Sequence, residues 1–176
     1  MTRRPLVRRA VALGAAAALV AIGATYWIYG NDLGQEAQKM EAATAAFKSG
    51  QFADGVRLAE PLAARGNAEA ETWMGLAYAF GQGVPRDRDR AKVYYLSAQG
   101  EQAHKTFYWL AEQYENGAPL VPVDHTEALA WYAAAAEMGD ERAQLVLARV
   151  FRNGLYGVYP DPIAAAFWER KAGEQE

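Results

Sequence analysis

Three short signatures recur along this 176-residue chain in the same order and at a nearly constant spacing. The first is an aromatic residue with a small residue three positions before it and a glycine three positions after it. The second is an aspartate, an alanine four positions later and an aromatic ring three positions beyond that, and a small residue then closes each unit. In chain order the members are Gly75/Tyr78/Gly81, Ala111/Tyr114/Gly117 and Ala148/Phe151/Gly154; then Asp87/Ala91/Tyr94, Asp124/Ala128/Trp131 and Asp161/Ala165/Trp168; and finally Ala98, Ala135 and Ala172.

Successive copies of each signature are separated by 36 or 37 residues. A constant period in this range is typical of solenoid proteins, in which each unit buries its apolar face only against the neighbouring units. The first signature also has helical spacing, because Ala70, Met74, Gly75 and Tyr78 share one side of a helix. Period and spacing together predict a stack of helical hairpins.

Each signature has a local structural interpretation. The small residues Gly75, Ala111 and Ala148 predict places where a bulky side chain lies against a helix backbone, and the aromatic residue of the second signature is the expected partner. The glycines that end the first signature suit helix C-termini, where positive φ is common. The aspartates suit helix N-caps, because a short carboxylate accepts hydrogen bonds from the free amides of the first turn. Capping accounts for all three aspartates without a metal or catalytic role.

The first unit and the second half of the next unit resemble the Sel1-like repeat, a relative of the tetratricopeptide repeat with a longer loop between its two helices. The matching residues are Met74-Gly75, Tyr78, Gly81-Gln82-Gly83-Val84, Asp87, Arg90-Ala91, Tyr94-Tyr95, Glu127-Ala128, Trp131-Tyr132, Ala135-Ala136 and Gly139. The loops depart from the pattern at residues 117–122 and 154–158. The resemblance implies an all-α fold, a right-handed superhelical solenoid of about four antiparallel helix pairs, with a non-enzymatic role in protein interaction and scaffolding.

The chain divides into three predicted parts. Residues 1–30 are a basic flank and a transmembrane signal anchor, residues 31–66 are an opening helix pair of tetratricopeptide type, and residues 67–176 are three Sel1-like repeats. The last helix carries Ile163, Phe167 and Trp168, so we expect its outer side to be apolar and to be able to meet a partner.

The first thirty residues predict a membrane-spanning helix. Four arginines precede an uncharged run over residues 10–30, which at 1.5 Å per residue is about 30 Å long, the thickness of a bilayer core. Arginines on one flank only predict a cytoplasmic N-terminus, a single pass through the inner membrane and a solenoid on the periplasmic side. Small residues at four-residue steps, Ala10, Gly14 and Ala18, would let this helix pack closely on other membrane helices, although an alanine-rich run produces such steps by chance.

Two other interpretations of this segment stay open. The first is a cleaved signal peptide, for which Ile22-Gly23-Ala24 comes nearest to the small-residue pattern of a cleavage site. A twin-arginine export signal is suggested by the run from Thr2 to Arg8 and by the alanine and glycine content of the segment.

Charge and composition argue against several function classes. The net charge is −3, and without the four arginines of the tail the chain keeps 14 basic and 21 acidic residues, a balance of −7. That balance argues against nucleic acid as a partner, because phosphate binding needs a basic stripe. The chain has no cysteine, its two serines lie outside any nucleophile motif, and neither His104 nor His125 has a second metal ligand one turn away. We therefore expect no enzymatic activity, no cofactor, no metal and no small-molecule substrate.

Binding is expected on the concave side of the stack, because the first helices of successive pairs line that side in tetratricopeptide-like proteins. The candidate partner-binding residues are those that lie off the core stripe of these helices. They are Trp73, Leu76, Phe80, Tyr108, Trp109, Glu112, Arg142 and Arg149. Trp73 and Trp109 occupy the same register, and large rings in a groove are natural anchors for a protein partner. The alternative is that both rings fill space between neighbouring repeats.

These observations predict a protein-interaction scaffold, namely a membrane-anchored adaptor or accessory subunit of a bacterial-type inner-membrane complex. Its partners are expected to be proteins, with an integral membrane complex among them. The alternative is an exported periplasmic regulator of a sensor or of a polymer-export machine. A hydrolase is the remote alternative, since it needs a catalytic constellation that the sequence does not display.

Overall fold

A computed structural model describes residues 34–119 and 121–174 of the chain. This part of the chain is helical and contains no β-strand, since its bridge between Ala118 and Val121 is isolated. The predicted all-α fold is confirmed. The helices are α1 over residues 34–48, α2 Phe52–Ala63, α3 Ala68–Phe80, α4 Arg88–Gln99, α5 Ala103–Asn116, α6 His125–Glu137, α7 Glu141–Asn153 and α8 Pro162–Gly173, with a short 3-10 turn at Gly100–Gln102.

The predicted transmembrane helix, with Ala10, Gly14 and Ala18, lies outside the described residues. Among residues 34–119 and 121–174, no helix combines the length and the apolar character that a membrane span needs.

Consecutive helices form hairpins that stack on one another. α3 packs on α4, α5 on α6 and α7 on α8, while α2 packs on α3 and α6 on α7, which joins successive hairpins. The buried side chains form one continuous core that runs from Met40 in α1 to Leu147 in α7. This is the stacked arrangement that the repeat period predicts.

The turns are set by the aspartates and glycines of the repeated signatures. Asp87, Asp124 and Asp161 each accept hydrogen bonds from backbone N–H groups of the helix that follows, at 2.9–3.0 Å. Gly81 and Gly154 end α3 and α7 with φ of 71° and 67°, a conformation that favours glycine. The capping role predicted for the three aspartates is confirmed.

The small residue in α3 receives a bulky ring, but its partner differs from the expected one. A Cβ built on Gly75 would lie 2.8 Å from Cζ of Tyr95, so the Tyr95 ring lies directly against the backbone of α3. The expectation that Tyr94 fills this notch is wrong, because α4 directs the next residue toward α3. Tyr94 is half-buried and stacks on Tyr78, with ring centroids 5.8 Å apart.

The remaining rings of the second signature also face the core. Trp131 is 0% exposed, and the ring centroid of Phe107 lies 5.4 Å from it. Trp168 is half-buried against the core, whereas Ile163 and Phe167 on the same helix are exposed.

Polar side chains join the first repeat to the second. Arg86 and Arg88, around the start of α4, pair with Asp124 and Glu127 around the start of α6 at distances of 3.4–3.9 Å. Because these pairs are partly exposed, each contributes little to stability, but together they fix the relative position of two successive hairpins.

The loop between α7 and α8 reaches back to the second repeat. Tyr156 has φ of 59°, which is uncommon for a residue with a side chain, and its hydroxyl donates to Glu115 in α5. Its ring stacks on His125, with centroids 4.8 Å apart. Burial and the bond to Glu115 raise the pKa of Tyr156 to about 12. Tyr132 donates to the same carboxylate at 2.5 Å, so one side chain holds α5, α6 and this loop together.

Candidate partner-binding groove

A groove of about 560 Å³ lies between α5 and the start of α7. The buried side of α5 carries the rings and aliphatic groups of the core, which leaves its other side open toward this groove. We call it the α5–α7 groove, and its lining residues are His104, Lys105, Tyr108, Trp109, Glu112, Gly139, Asp140, Glu141 and Arg142.

The floor of the α5–α7 groove is organised by Asp140, the N-cap of α7, which is only 3% exposed. Its carboxylate accepts hydrogen bonds from Arg142 Nη2 at 2.8 Å and Nε at 3.2 Å, and from the N–H of Ala143 at 3.2 Å. His104 Nδ1 of α5 lies 2.9 Å from the same carboxylate. Burial alone would raise the pKa of Asp140, but the hydrogen bonds from Arg142, His104 and Ala143 outweigh it and lower that pKa.

The guanidinium of Arg142 is held over the ring of Tyr108 by this carboxylate. Its Cζ lies 4.1 Å from the ring centroid, which is a cation–π contact. On its other side Tyr108 meets the ring of Tyr132 edge-on, with centroids 5.4 Å apart. Burial and the nearby Glu112 carboxylate raise the pKa of Tyr108. Asp140, Arg142 and Tyr108 therefore form a fixed wall of the groove.

Trp109 is the large apolar side chain that the α5–α7 groove leaves open. Its side chain is 43% exposed, and its ring packs against Phe80 of α3, with centroids 6.1 Å apart and the rings nearly perpendicular. Glu112 follows it by three residues, so the carboxylate and the indole are neighbours on one side of α5. An exposed indole beside a rigid polar wall is the kind of surface that anchors protein partners.

The structure brings together half of the candidate partner-binding residues. Tyr108, Trp109, Glu112 and Arg142 all line the α5–α7 groove. Arg149 is exposed on α7, outside the lining of the groove.

The three candidates on α3 contribute to packing. Trp73 stacks flat on Phe47 of α1, with centroids 4.9 Å apart and planes 2° apart. Leu76 and Phe80 are half-buried against the core, and Phe80 also contacts Trp109 and Tyr114. The two tryptophans in register therefore have different environments, since Trp73 fills space between neighbouring hairpins and Trp109 is open.

His104 and Asp140 line the groove but were not among the candidates. Asp140 follows Gly139 just as Asn67 follows Gly66, and both cap the next helix, so this local pattern could have identified it. His104 offers no such signal, because its partner is 36 residues away in the chain. Across residues 34–119 and 121–174, no group of three His, Asp or Glu side chains could hold a metal ion.

Comparison with known proteins identifies the repeats. The family model described as the Sel1 repeat matches residues 68–98, 108–140 and 141–176, which is more than half of the chain. This chain belongs to the Sel1 repeat family. Sel1 repeats indicate a protein-interaction scaffold, and the fold is typically non-catalytic.

Relatives of this Sel1 protein show similarity over limited lengths. An uncharacterized protein of Neisseria meningitidis serogroup B is 36% identical over 93 residues, which are 52% of this chain and 18% of that protein. A Sel1 repeat protein from Oxalobacter formigenes is 24% identical, with a TM-score of 0.43 over 78% of this chain and 54% of the other. A protective antigen of uropathogenic Escherichia coli strains that displays an SLR fold is 29% identical, with a TM-score of 0.42 over 81% of this chain and 33% of the other.

Proposed function

We propose that this Sel1 protein is a membrane-anchored adaptor or accessory subunit that holds a partner protein in the α5–α7 groove. The observation that carries this proposal is the open Trp109 ring beside the wall formed by Asp140, Arg142 and Tyr108. A rigid wall reduces the conformational entropy lost on binding, and a half-exposed indole supplies apolar area to bury.

The uncharged run at residues 10–30 supports the membrane part of the proposal. An anchor would keep the solenoid beside an integral membrane partner and raise the local concentration, so that a modest interface is sufficient. With arginines only on the N-terminal flank, the solenoid would lie on the periplasmic side of an inner membrane. An exported form of the protein, released into the periplasm, is the second candidate, and the run from Thr2 to Arg8 favours it.

A pull-down of the full-length chain in mild detergent tests the proposal. We expect the chain to fractionate with membranes and to recover an integral membrane protein, and we expect Trp109→Ala to reduce that recovery at least tenfold. Leu96→Ala is the matched control, because Leu96 is exposed to a similar degree, 44%, and does not line the groove. Recovery of the wild-type chain as a lone species from the soluble fraction would support export, and equal partner recovery with both variants would contradict the groove assignment.

A further inference from the structure

We propose that the protein segment bound in the α5–α7 groove carries an arginine or lysine, whose cationic group lies on the Trp109 ring and pairs with Glu112. This inference rests on the proposed function and adds the chemical class of the bound segment.

The groove already contains one such arrangement made by the chain itself. The Arg142 guanidinium lies 4.1 Å from the Tyr108 ring centroid and 2.8 Å from a carboxylate oxygen of Asp140. An aromatic face with an adjacent carboxylate is thus shown to hold a guanidinium at this site. Trp109 and Glu112 offer the same pair of groups on the next part of the same surface of α5, and no cation of the described residues lies over the indole. The Glu112 carboxylate also interacts with the Tyr108 hydroxyl and with the charge of Arg142.

The Trp109 ring is free to accept a cation. In the described part of the chain, four arginines lie over aromatic rings, and those rings belong to Tyr78, Tyr108, Tyr114 and Phe167. Phe80 meets the indole nearly perpendicularly and leaves the Trp109 side chain 43% exposed. Among aromatic side chains, tryptophan binds cations most strongly, and the interaction strengthens when the cation is partly removed from water.

The charge of the lining favours a basic ligand. The Asp140 carboxylate is neutralised by Arg142 and hydrogen-bonded to His104. Within the described residues no cation forms a salt bridge with Glu112 or Glu141, and Lys105 is the unpaired cation of the lining. Glu112 interacts with the Tyr108 hydroxyl and with Arg142, so the lining keeps two carboxylates outside any salt bridge against one ammonium. A hydrogen bond between a carboxylate and a cationic donor is stronger than one between neutral groups, so Glu112 favours a cationic partner.

The space is sufficient for more than one side chain of an extended segment. The α5–α7 groove has a volume of about 560 Å³, within the range of pockets that bury most of a drug-sized ligand. The neighbouring Tyr108 wall would then contact the residues that flank the cation, which gives the segment a defined position.

A peptide selection tests the proposal. The full-length chain in mild detergent is used to select from a library of random dodecapeptides, and peptides that bind Trp109→Ala equally well are discarded. We expect the remaining peptides to be enriched in arginine or lysine. For one selected peptide, replacement of its arginine by the neutral isostere citrulline should weaken binding about tenfold.

The Glu112→Gln variant shows where the cation lies. It should weaken binding of the arginine peptide several-fold and leave binding of the citrulline peptide nearly unchanged. The difference in affinity between the two peptides should therefore shrink. Glu137→Gln, an exposed carboxylate of α6 outside the groove, is the matched control and should preserve the full difference.

The outcomes separate this inference from the function on which it rests. Selected peptides that depend on Trp109 but show no preference for basic residues, or a citrulline effect that Glu112→Gln does not change, would overturn the cation site and leave the groove as a partner site. A selection that yields no peptide dependent on Trp109 would overturn both.

Discussion

Repeats two and three share their backbone plan but differ in what fills the space between their helices. In repeat two, Phe107 of α5 packs against Trp131 of α6, which is completely buried. In repeat three, Gln144 stands 37 residues after Phe107, and its partner ring Trp168 is only half-buried. A gap of about 370 Å³ lined by Gln144, Trp168 and other residues remains there. The comparison shows that caps and turns fix the hairpin, while the quality of packing is decided at each repeat separately.

The two repeats also differ in charge, because α8 carries charged side chains at places where α6 has buried ones. Tyr132 and Ala134 of α6 are buried, whereas Glu169 and Lys171 take the corresponding places in α8 and reach solvent. Charged side chains at these places are stable in contact with water, whereas the rings of α6 are covered by a neighbouring helix. The exposed Ile163 and Phe167 correspond to Thr126 and Ala130, which belong to the outer side of α6 rather than to its stacking face.

The largest expected difference between the two repeats is in their tryptophans. We expect Trp131→Ala to lower the free energy of unfolding by about 4 kcal/mol, because it leaves a cavity in a filled core. Trp168→Ala should lower it by about half as much, since that ring is half-buried beside an existing gap. Urea unfolding measures both values, and equal losses would contradict the proposed difference in packing.

The junction between repeats two and three should depend on the charge of Asp140. Asp140→Asn keeps a capping oxygen but removes the charge shared by Arg142 and His104, and we expect a loss of about 2 kcal/mol at pH 7. Because the pKa of Asp140 is lowered in the folded chain, its contribution is present above the ordinary carboxyl pKa and is lost as pH falls through the folded pKa.

Unfolding experiments at pH 7 and near pH 2.5 check this sign. The stability difference between the wild type and Asp140→Asn should shrink on acidification. Asp124→Asn, at the N-cap of α6 and with a longer and more exposed pair to Arg86, should cost less at pH 7. A difference that grows at low pH would mean that the Asp140 charge is unfavourable in the folded chain.

Glycine substitutions distinguish a filled site from an open one. Gly75→Ala places a methyl group against the Tyr95 ring, and overpacking of this kind costs about 2 kcal/mol. Gly173→Ala near the end of α8 meets no atom within 4 Å and should be neutral or slightly stabilising. Thermal unfolding compares them, and a neutral Gly75→Ala would show that the Tyr95 ring is not confined.

The smallest expected effects come from two tyrosines in the same register of α4 and α6. The hydroxyl of Tyr95 is buried without a hydrogen-bond partner in the described residues, so Tyr95→Phe should stabilise the chain by up to about 1 kcal/mol. Tyr132 donates to Glu115, so Tyr132→Phe should cost about 1 kcal/mol. Opposite signs in denaturant unfolding support this assignment, whereas a loss from Tyr95→Phe would show that its hydroxyl has a partner.

Much of the fold followed from the repeated signatures because caps and helix ends are local. Asp87, Asp124 and Asp161 bond to amides two or three residues away, and Gly81 and Gly154 adopt positive φ at the ends of their own helices. Such features need no knowledge of neighbouring hairpins.

Contacts between hairpins could not be deduced in the same way. The choice between Tyr94 and Tyr95 for the Gly75 notch depends on how α4 is rotated against α3, and a difference of one residue changes which ring enters. The separate environments of Trp73 and Trp109 depend on Phe47 in α1, which has no repeated counterpart. The groove was therefore predictable as a region and Arg142 as one of its residues, whereas the contacts that join Arg142 to Asp140 and Tyr108 were not.

The comparison of Trp73→Ala with Trp109→Ala tests the central claim most directly, with partner affinity and unfolding free energy measured on the same samples. We predict that Trp109→Ala lowers the affinity for the captured partner at least tenfold. Its free energy of unfolding should change by less than about 1 kcal/mol, because the ring is half-exposed. Trp73→Ala should lower stability by about 3 kcal/mol through loss of the Phe47 stack and leave affinity nearly unchanged. Unchanged affinity in Trp109→Ala, or a loss of affinity that follows stability in both variants, would contradict the assignment of the α5–α7 groove as the partner site.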